Sequence, residues 1–311
     1  MKGIELSKAY FEEYGKPMLE KDFPEYLDRI AVGLVGHGSE CFGFDDDISL
    51  DHDFEPGFCL WLTEEDEQAF GFRLFRAYSK LPKEFMGVKC LDRSAMGSKE
   101  KGVHTISEFY SAYTGRRSAP ECWQDWLYTP SHYFAEATNG EVFCDPLGEF
   151  TRVREIIKNG MPEDVRLKKI ASCALHMAQS GQYNYKRCIA HGELGAARFA
   201  LNEFATNAAE LVFLLDHRHA PYYKWIFRAM RELPTMKLLA DKIEELLTIP
   251  SDETLKIELM IEEISSVFID EFKKQGITEA TCGFLESHAY SVNDMIKSSE
   301  IRNLHVLYNE Q

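Results

Sequence analysis

The feature that most constrains the fold is a change of hydrophobic pattern near residue 151. Beyond it, segments such as "PEDVRLKKIASCALHMAQSG" and "ELGAARFALNEFATNAAELVFLLDH" carry apolar residues every three to four positions, which is typical of helices. Glycine or proline separates these segments. We therefore predict a helical bundle domain over residues 151–311.

The first 150 residues combine helical patterns with short β-branched or apolar segments. "IAVGLVG" (30–36), "GFCLWL" (57–62), "GVHTIS" and "EVFCD" are predicted strands. A helix is predicted to start at Thr63, whose hydroxyl precedes a run of acids, and others cover "ISEFYSAYTG" and "SHYFAEATNG". The chain is therefore predicted to be α+β, with a mixed α/β domain over residues 1–150 followed by the helical domain.

The charge is acidic and unevenly distributed. The 311-residue chain has a formal net charge of -16, and residues 1–150 hold 15 Lys and Arg against 28 Asp and Glu. An acidic surface repels a phosphate backbone and tolerates cationic molecules or divalent metals, so the composition disfavours a nucleic-acid partner.

Export, membrane insertion and a cysteine framework find no support in the sequence. No apolar run approaches the roughly 20 residues of a membrane helix, and the first residues carry acids where a signal peptide would be apolar. A cytoplasmic location without a membrane partner is the expectation. The eight cysteines are widely spaced, which favours buried thiols over zinc ligands or disulfides.

The segment "GHGSECFGFDDDISLDHDF" (36–54) places Gly38-Ser39 eleven residues before Asp51-His52-Asp53. A Gly-Ser turn lets the backbone approach a ligand closely and offers a hydroxyl to a phosphate oxygen. In an extended segment Asp51 and Asp53 share one face, and paired carboxylates suit Mg²⁺. Asp45, Asp46 and Asp47 are interpreted as a solvated turn.

A second candidate is the basic segment "HRHAPYYKWIFRAMR" (217–231), which contains no acid. Pro221 suits the first turn of a helix, and from there Lys224, Arg228 and Arg231 would share one side. The pattern alone is more typical of an amphipathic helix with solvated cations.

These motifs resemble known families. Gly38-Ser39 followed by Asp51-x-Asp53 is similar to the signature of the nucleotidyltransferase superfamily of DNA polymerase β and the aminoglycoside nucleotidyltransferases. More closely, "GSECFGFD", "SLDHDF", "GEVFCDPLGEF" and "APYYKWIFRAM" resemble a bacterial family of nucleotidyltransferase-like proteins classed as a domain of unknown function.

The resemblance implies a set of site residues. Asp51 and Asp53 would bind two Mg²⁺ ions, Gly38 and Ser39 would contact the terminal phosphates of a nucleoside triphosphate, and Lys224, with Arg228, would bind the triphosphate. Superfamily enzymes usually add a third carboxylate from a later strand. Glu108 is assigned that role here, with Glu100 and Asp145 as alternatives. The sequence departs from the family at "FEPGF", where the family is associated with Trp-Gly-Pro-Arg.

The leading hypothesis is a Mg²⁺-dependent nucleotidyltransferase that moves a nucleoside monophosphate from the triphosphate to a hydroxyl and releases pyrophosphate. The acceptor would be a small molecule or a protein side chain, and the acidic first half suits a cationic, antibiotic-like small molecule. The alternative is a catalytically silent nucleotide-binding or partner-binding protein that keeps the fold.

Overall fold

The computed structural model describes residues 1–46, 55–90 and 101–307 of the chain. They form two compact units: residues 1–121 with 133–160, and residues 122–132 with 161–311. The predicted boundary at residue 150 therefore differs from the observed division. Residues 149–159 belong to the first unit because Phe150 is buried there and its ring stacks on Trp61, with centroids 3.9 Å apart.

The first unit contains a four-stranded mixed sheet, and the predicted strands are confirmed. Its strands lie in the order β5-β2-β1-β6, with β1 antiparallel to β2 and β6, and β2 parallel to β5. A separate hairpin is formed by β3 and β4. The strands are β1 Ala31–Leu34, β2 Cys59–Leu62, β3 Glu84–Phe85, β4 Val88–Lys89, β5 Gly102–Thr105 and β6 Glu141–Cys144.

Helices cover this sheet because its central strands are apolar on both faces. Leu60 and Leu62 pack with Phe11 and Phe70 in one hydrophobic core, and Trp61, on the opposite face, contacts Phe150. The helices of the unit are α1 Gly3–Tyr10, α2 Lys16–Asp22, α3 Ser39–Phe42, α4 Glu64–Asp66, α5 Phe72–Tyr78, α6 Ile106–Thr114, the greater part of α8 Ser131–Thr138, and α9 Glu149–Asn159.

The start of the helix after β2 shows how local sequence fixes an element. The Thr63 side chain accepts a hydrogen bond from the Asp66 backbone N–H at 3.2 Å, which satisfies a donor that has no partner within the helix. The predicted helix start at Thr63 is confirmed.

The second unit is helical, which together with the mixed sheet confirms the α+β class. Its central helix, Glu163–Met177, is buried over most of its length and packs against Leu194–Leu215 and Leu285–Asp294. The helices are α7 Trp123–Tyr128, α10 Glu163–Met177, α11 Lys186–Ala190, α12 Leu194–Leu215, α13 Ile226–Arg231, α14 Leu238–Thr248, α15 Thr254–Gln275, α16 Leu285–Asp294 and α17 Ser299–Arg302. None of the described helices is both long and apolar enough to cross a membrane.

Candidate functional site

The Gly-Ser turn directly follows β1 and depends on glycine. Gly36 and Gly38 have φ values of 130° and 110°, which side-chain-bearing residues rarely adopt. The Asn139 side chain fixes the turn: its amide oxygen accepts from Gly36 N at 2.9 Å and its amide nitrogen donates to Gly36 O at 2.7 Å. Tyr113 is buried against the same turn, and burial raises the pKa of its phenol well above the usual range.

Ser39 begins α3 and is partly exposed. Across the described ranges no group is hydrogen-bonded to its hydroxyl, so that hydroxyl is available to a ligand. Gly38 and Ser39 therefore lie at the end of a central strand in an accessible turn, as a phosphate-contacting role requires. Their contact with a nucleotide remains a prediction.

A buried ion pair supports this turn. Lys101 Nζ lies 3.4 Å from Glu40 Oε1, and the two side chains are 11% and 8% exposed. Lys101 also donates to the Glu55 carbonyl at 2.8 Å. It immediately precedes β5, so one lysine connects the Gly-Ser turn, the start of β5 and residue 55. Sequence reasoning missed this cation; the only local signal was a lysine beside a predicted strand.

Alanine at Gly38 is predicted to destabilise the first unit. The added Cβ would lie 2.5 Å from Glu40 Oε2, and Glu40 is buried beside Lys101, so the contact adds to the strain of φ 110°. We expect Gly38→Ala to lower the free energy of unfolding by about 1–3 kcal/mol in urea titrations.

The matched control is Gly43→Ala, four residues beyond the α3 start. Gly43 also has positive φ, at 72°, but an added Cβ would meet nothing within 4 Å. Its cost is expected to stay near 1 kcal/mol, the usual penalty for a left-handed residue. Equal losses in the two variants would contradict the proposed role of the Glu40 contact.

In the acidic segment, the structure corrects the interpretation of Asp45. Asp45 was interpreted as part of a solvated turn, but it is 6% exposed and its carboxylate accepts from Gly3 N at 2.9 Å. Lys2 also pairs with this carboxylate at 3.6 Å. Asp45 thus anchors the first helix, and only Asp46 is exposed as predicted. Asp47, Asp51 and Asp53 lie outside the described residues.

The candidates for a third carboxylate have capping contacts. Glu108 is exposed, and its side chain accepts from Thr105 N at 3.4 Å while Thr105 Oγ1 accepts from Glu108 N at 3.0 Å, a capping box at the start of α6. The Asp145 carboxylate accepts from Gly148 N and Thr151 N at 3.1 and 2.7 Å. Glu100 lies outside the described residues. The catalytic assignment of Glu108 stays a prediction.

The Mg²⁺ site stays a prediction, and it rests on the carboxylates of Asp51 and Asp53. Within residues 1–46, 55–90 and 101–307, no group of three or more His, Cys, Asp or Glu side chains is arranged to hold a metal ion. The donor chemistry that fits Mg²⁺ is that of the carboxylates of Asp51 and Asp53, two residues apart.

The basic segment of the second unit differs from its prediction. The helix begins at Ile226 rather than at Pro221, because residues 222–225 form a turn closed by Trp225 N donating to Tyr222 O at 2.9 Å. Tyr222, which precedes the helix, is 42% exposed.

The cations of this segment are not equivalent. Arg231 pairs with Asp241 at 2.9 Å and also with Glu244. Lys224 and Arg228 are exposed and lie over the Trp225 ring, 4.9 and 5.6 Å from its centroid. In the part of the chain that the structure describes, no carboxylate forms an ion pair with Lys224. Lys224 is therefore available to an anionic ligand.

Comparison with known proteins gives one family match. Residues 126–226 match the model of a family described as a domain of unknown function, DUF4037. This confirms the predicted resemblance to such a family, and the match includes "GEVFCDPLGEF" together with most of "APYYKWIFRAM". No curated protein matches the chain.

A comparison with solved structures found a nucleotidyltransferase-like protein from Exiguobacterium sibiricum 255-15. The two chains are 10% identical, the alignment covers 86% of this chain and 78% of that chain, and the TM-score is 0.37.

Proposed function

We propose that the protein is a Mg²⁺-dependent nucleotidyltransferase that transfers a nucleoside monophosphate from a nucleoside triphosphate to a hydroxyl acceptor. The observation that carries the proposal is the Gly-Ser turn after β1. Its glycine has a φ that only glycine readily adopts, its Ser39 hydroxyl has no described partner, and a buried Glu40–Lys101 pair holds it in place. The chain then supplies Asp51-x-Asp53 shortly before β2.

In this proposal the acceptor oxygen forms a bond to the α-phosphorus, and the bond from that phosphorus to the bridging oxygen of the β-phosphate breaks. Pyrophosphate leaves, and the hydroxyl proton passes to a carboxylate, for which Glu108 is the candidate, or to water. Mg²⁺, when bound by Asp51 and Asp53, would neutralise charge on the phosphates. The protein itself contributes positioning and charge compensation.

Two cations of the basic segment, Lys224 and Arg228, are proposed to bind phosphate oxygens. Lys224 and Arg228 are both exposed and both lie over the Trp225 ring, and Lys224 has no described carboxylate partner. Cations that approach phosphate oxygens are a recurring part of phosphoryl-transfer sites. We assign Lys224 and Arg228 to the triphosphate on this basis.

The proposed function is tested by measuring nucleotidyl transfer directly. The protein is incubated with each of four α-labelled nucleoside triphosphates, Mg²⁺, and separate panels of amino-bearing small molecules and of proteins. We expect labelled acceptor and stoichiometric pyrophosphate, both dependent on Mg²⁺. Mg²⁺-triphosphate binding without any transfer would instead support the silent nucleotide-binding protein. We propose that the protein carries out this activity in the cytoplasm, without a membrane partner.

Lys224→Ala is expected to weaken triphosphate binding about tenfold with little loss of stability, because it removes an exposed cation that forms no ion pair with a described carboxylate and whose described contact is the adjacent Trp225 ring. Binding is measured by titration calorimetry and stability by thermal unfolding. The control is Lys237→Ala, which removes another exposed lysine of the second unit. Unchanged triphosphate binding, or equal weakening in both variants, would indicate that Lys224 is a solvated surface cation.

A further inference from the structure

The second unit contains a cavity of about 320 Å³. Its walls come from α10, α12, the first residues of α8 and the segment 220–226. All of these residues belong to the second unit and fall within residues 126–226, the region that matches the family model. The cavity is therefore formed entirely by the most family-like part of the chain.

The interior of the cavity is polar on the side of the two long helices. Lys169 of α10 is 6% exposed and donates to the Thr129 carbonyl at 3.4 Å. Asn207 of α12 is 9% exposed and donates through its amide nitrogen to the Glu203 carbonyl at 2.9 Å. Glu210 lies one helical turn beyond Asn207 and also lines the cavity. Three polar side chains of the two long helices thus line the same small space.

Aromatic rings also line the cavity. Tyr222 and Tyr223 contact each other, with ring centroids 4.3 Å apart, and His132 meets Tyr222 edge to face at 5.6 Å. The two tyrosines are 42% and 74% exposed. Adjacent exposed rings beside a cavity are typical of a surface that binds a ligand.

Size and charge narrow the class of ligand. The volume is at the lower end of the roughly 300–1,000 Å³ found for small-molecule sites, so the cavity suits one small ring system and not a polymer. The cation Lys224 follows Tyr223 directly in the chain, and Arg228 lies one helical turn further on. A ligand with a flat polar ring and an attached anion would match the polar interior, the aromatic rings and the cations together.

We propose that this cavity binds the base of a nucleotide, with Tyr222 and Tyr223 contacting the ring face and Asn207 hydrogen-bonding its edge. A nucleobase has both donors and acceptors on its edge, and its face stacks on aromatic side chains. This inference rests on the proposed function, since it assigns a place to the base of the nucleoside triphosphate.

The test is titration calorimetry with adenosine, guanosine, cytidine and uridine and with their 5′-monophosphates, in EDTA so that no metal contributes. We expect at least one nucleoside to bind, and its monophosphate to bind more tightly. Tyr222→Ala should weaken nucleoside binding about tenfold or more. Asn207→Leu should lower the affinity for the preferred nucleoside and reduce the discrimination among the four.

Tyr290→Ala is the matched control, because Tyr290 is 50% exposed in the same unit but does not line the cavity. It should leave nucleoside binding unchanged. Absence of nucleoside binding at millimolar concentration, or equal losses in Tyr222→Ala and Tyr290→Ala, would overturn the inference. Binding of free amino acids in place of nucleosides would overturn it too.

The transfer assay is run on the same samples so that the two proposals can fail separately. If the wild-type protein transfers nucleotide but nucleoside binding is absent or insensitive to Tyr222→Ala, the proposed base site is contradicted. The proposed nucleotidyltransferase activity is then still supported. If nucleoside binding depends on Tyr222 but the wild-type protein shows no transfer, the base site is supported and the proposed enzymatic activity is contradicted.

Discussion

Asp51→Asn is expected to reduce nucleotidyl transfer by at least about 100-fold while leaving the fold intact. The substitution keeps the size and shape of the side chain but replaces an anionic oxygen ligand with a neutral amide, which binds Mg²⁺ weakly. Because the metal would neutralise charge that develops during transfer, the loss should appear mainly in kcat. The measurement is labelled product and pyrophosphate per unit time at saturating triphosphate.

Asp46→Asn provides the matched control, since Asp46 is an exposed acid of the same segment and has the same change in charge. It should retain near wild-type transfer. Asp53→Asn should behave like Asp51→Asn. Full activity in Asp51→Asn would contradict the metal-ligand assignment, and equal losses in Asp46→Asn would show that net acidity, not a specific ligand, matters.

The sequence predicted the elements of this fold better than their long-range contacts. The β-branched run that includes Val32 and the apolar run that includes Leu60 are both central strands, because local apolar content is what a buried strand requires. Thr63 likewise caps its helix through a contact only three residues away. In each case the determining interaction is local and can be read from neighbouring residues.

The errors arise where distant residues decide the outcome. Asp45 resembles a solvated acid in the sequence, but Gly3, 42 positions away, buries and binds it. Lys101 pairs with Glu40 across 61 positions, which a local pattern does not reveal. Pro221 is compatible with a helix start, yet the turn closed by Tyr222 and Trp225 delays the helix to Ile226.

The same distinction applies to the candidate site. Gly38 and Ser39 could be predicted because a turn after a strand is a local feature, and the structure adds the φ of Gly38 and the accessibility of Ser39. The cavity lined by Lys169 and Tyr222 could not be predicted from the sequence, because α10 and the segment 220–226 are about 50 residues apart. Helical periodicity indicates which face is apolar but not which helix covers it.

A buried lysine anchors the C-terminal segment in the second unit. Lys168 is 0% exposed, and its Nζ donates to Asn293 Oδ1 at 2.8 Å and to the carbonyls of Leu304 and Arg302 at 2.6 and 3.5 Å. One turn earlier on α10, the Asp164 carboxylate accepts from two backbone N–H groups of residues 297–298. Two side chains of α10 thus hold residues 293–304.

Burial lowers the pKa of Lys168 from 10.5 to about 8, because neutral oxygens replace water around its ammonium group. No described carboxylate forms an ion pair with Lys168 to oppose this shift. The folded state therefore releases the proton near pH 8, whereas the unfolded chain keeps it until about pH 10.5. Below pH 8 both states carry the charge, and the cost of burying it is greatest.

Stability should accordingly increase as the pH rises above 8, since the unfolded state then binds more protons than the folded state. Between pH 7.5 and 9.5 we expect the wild-type protein to gain about 2 kcal/mol relative to Lys168→Met, which has no proton to release. The difference between the two proteins is measured by urea unfolding at each pH. Taking this difference cancels contributions from other titrating groups, including the buried tyrosines.

Lys168→Met is also expected to be less stable than the wild type at every pH, by about 1–3 kcal/mol near pH 7.5, because Asn293 Oδ1 and the Leu304 carbonyl lose their donor. Lys297→Met, which changes an exposed lysine of the anchored segment, should show neither effect because its side chain has no such contacts in the described residues. A stability difference between wild type and Lys168→Met that stays constant from pH 7.5 to 9.5 would show that Lys168 keeps its proton when buried. Its acceptors, Asn293 and the carbonyls of Arg302 and Leu304, would then stabilise the ammonium group as well as water does.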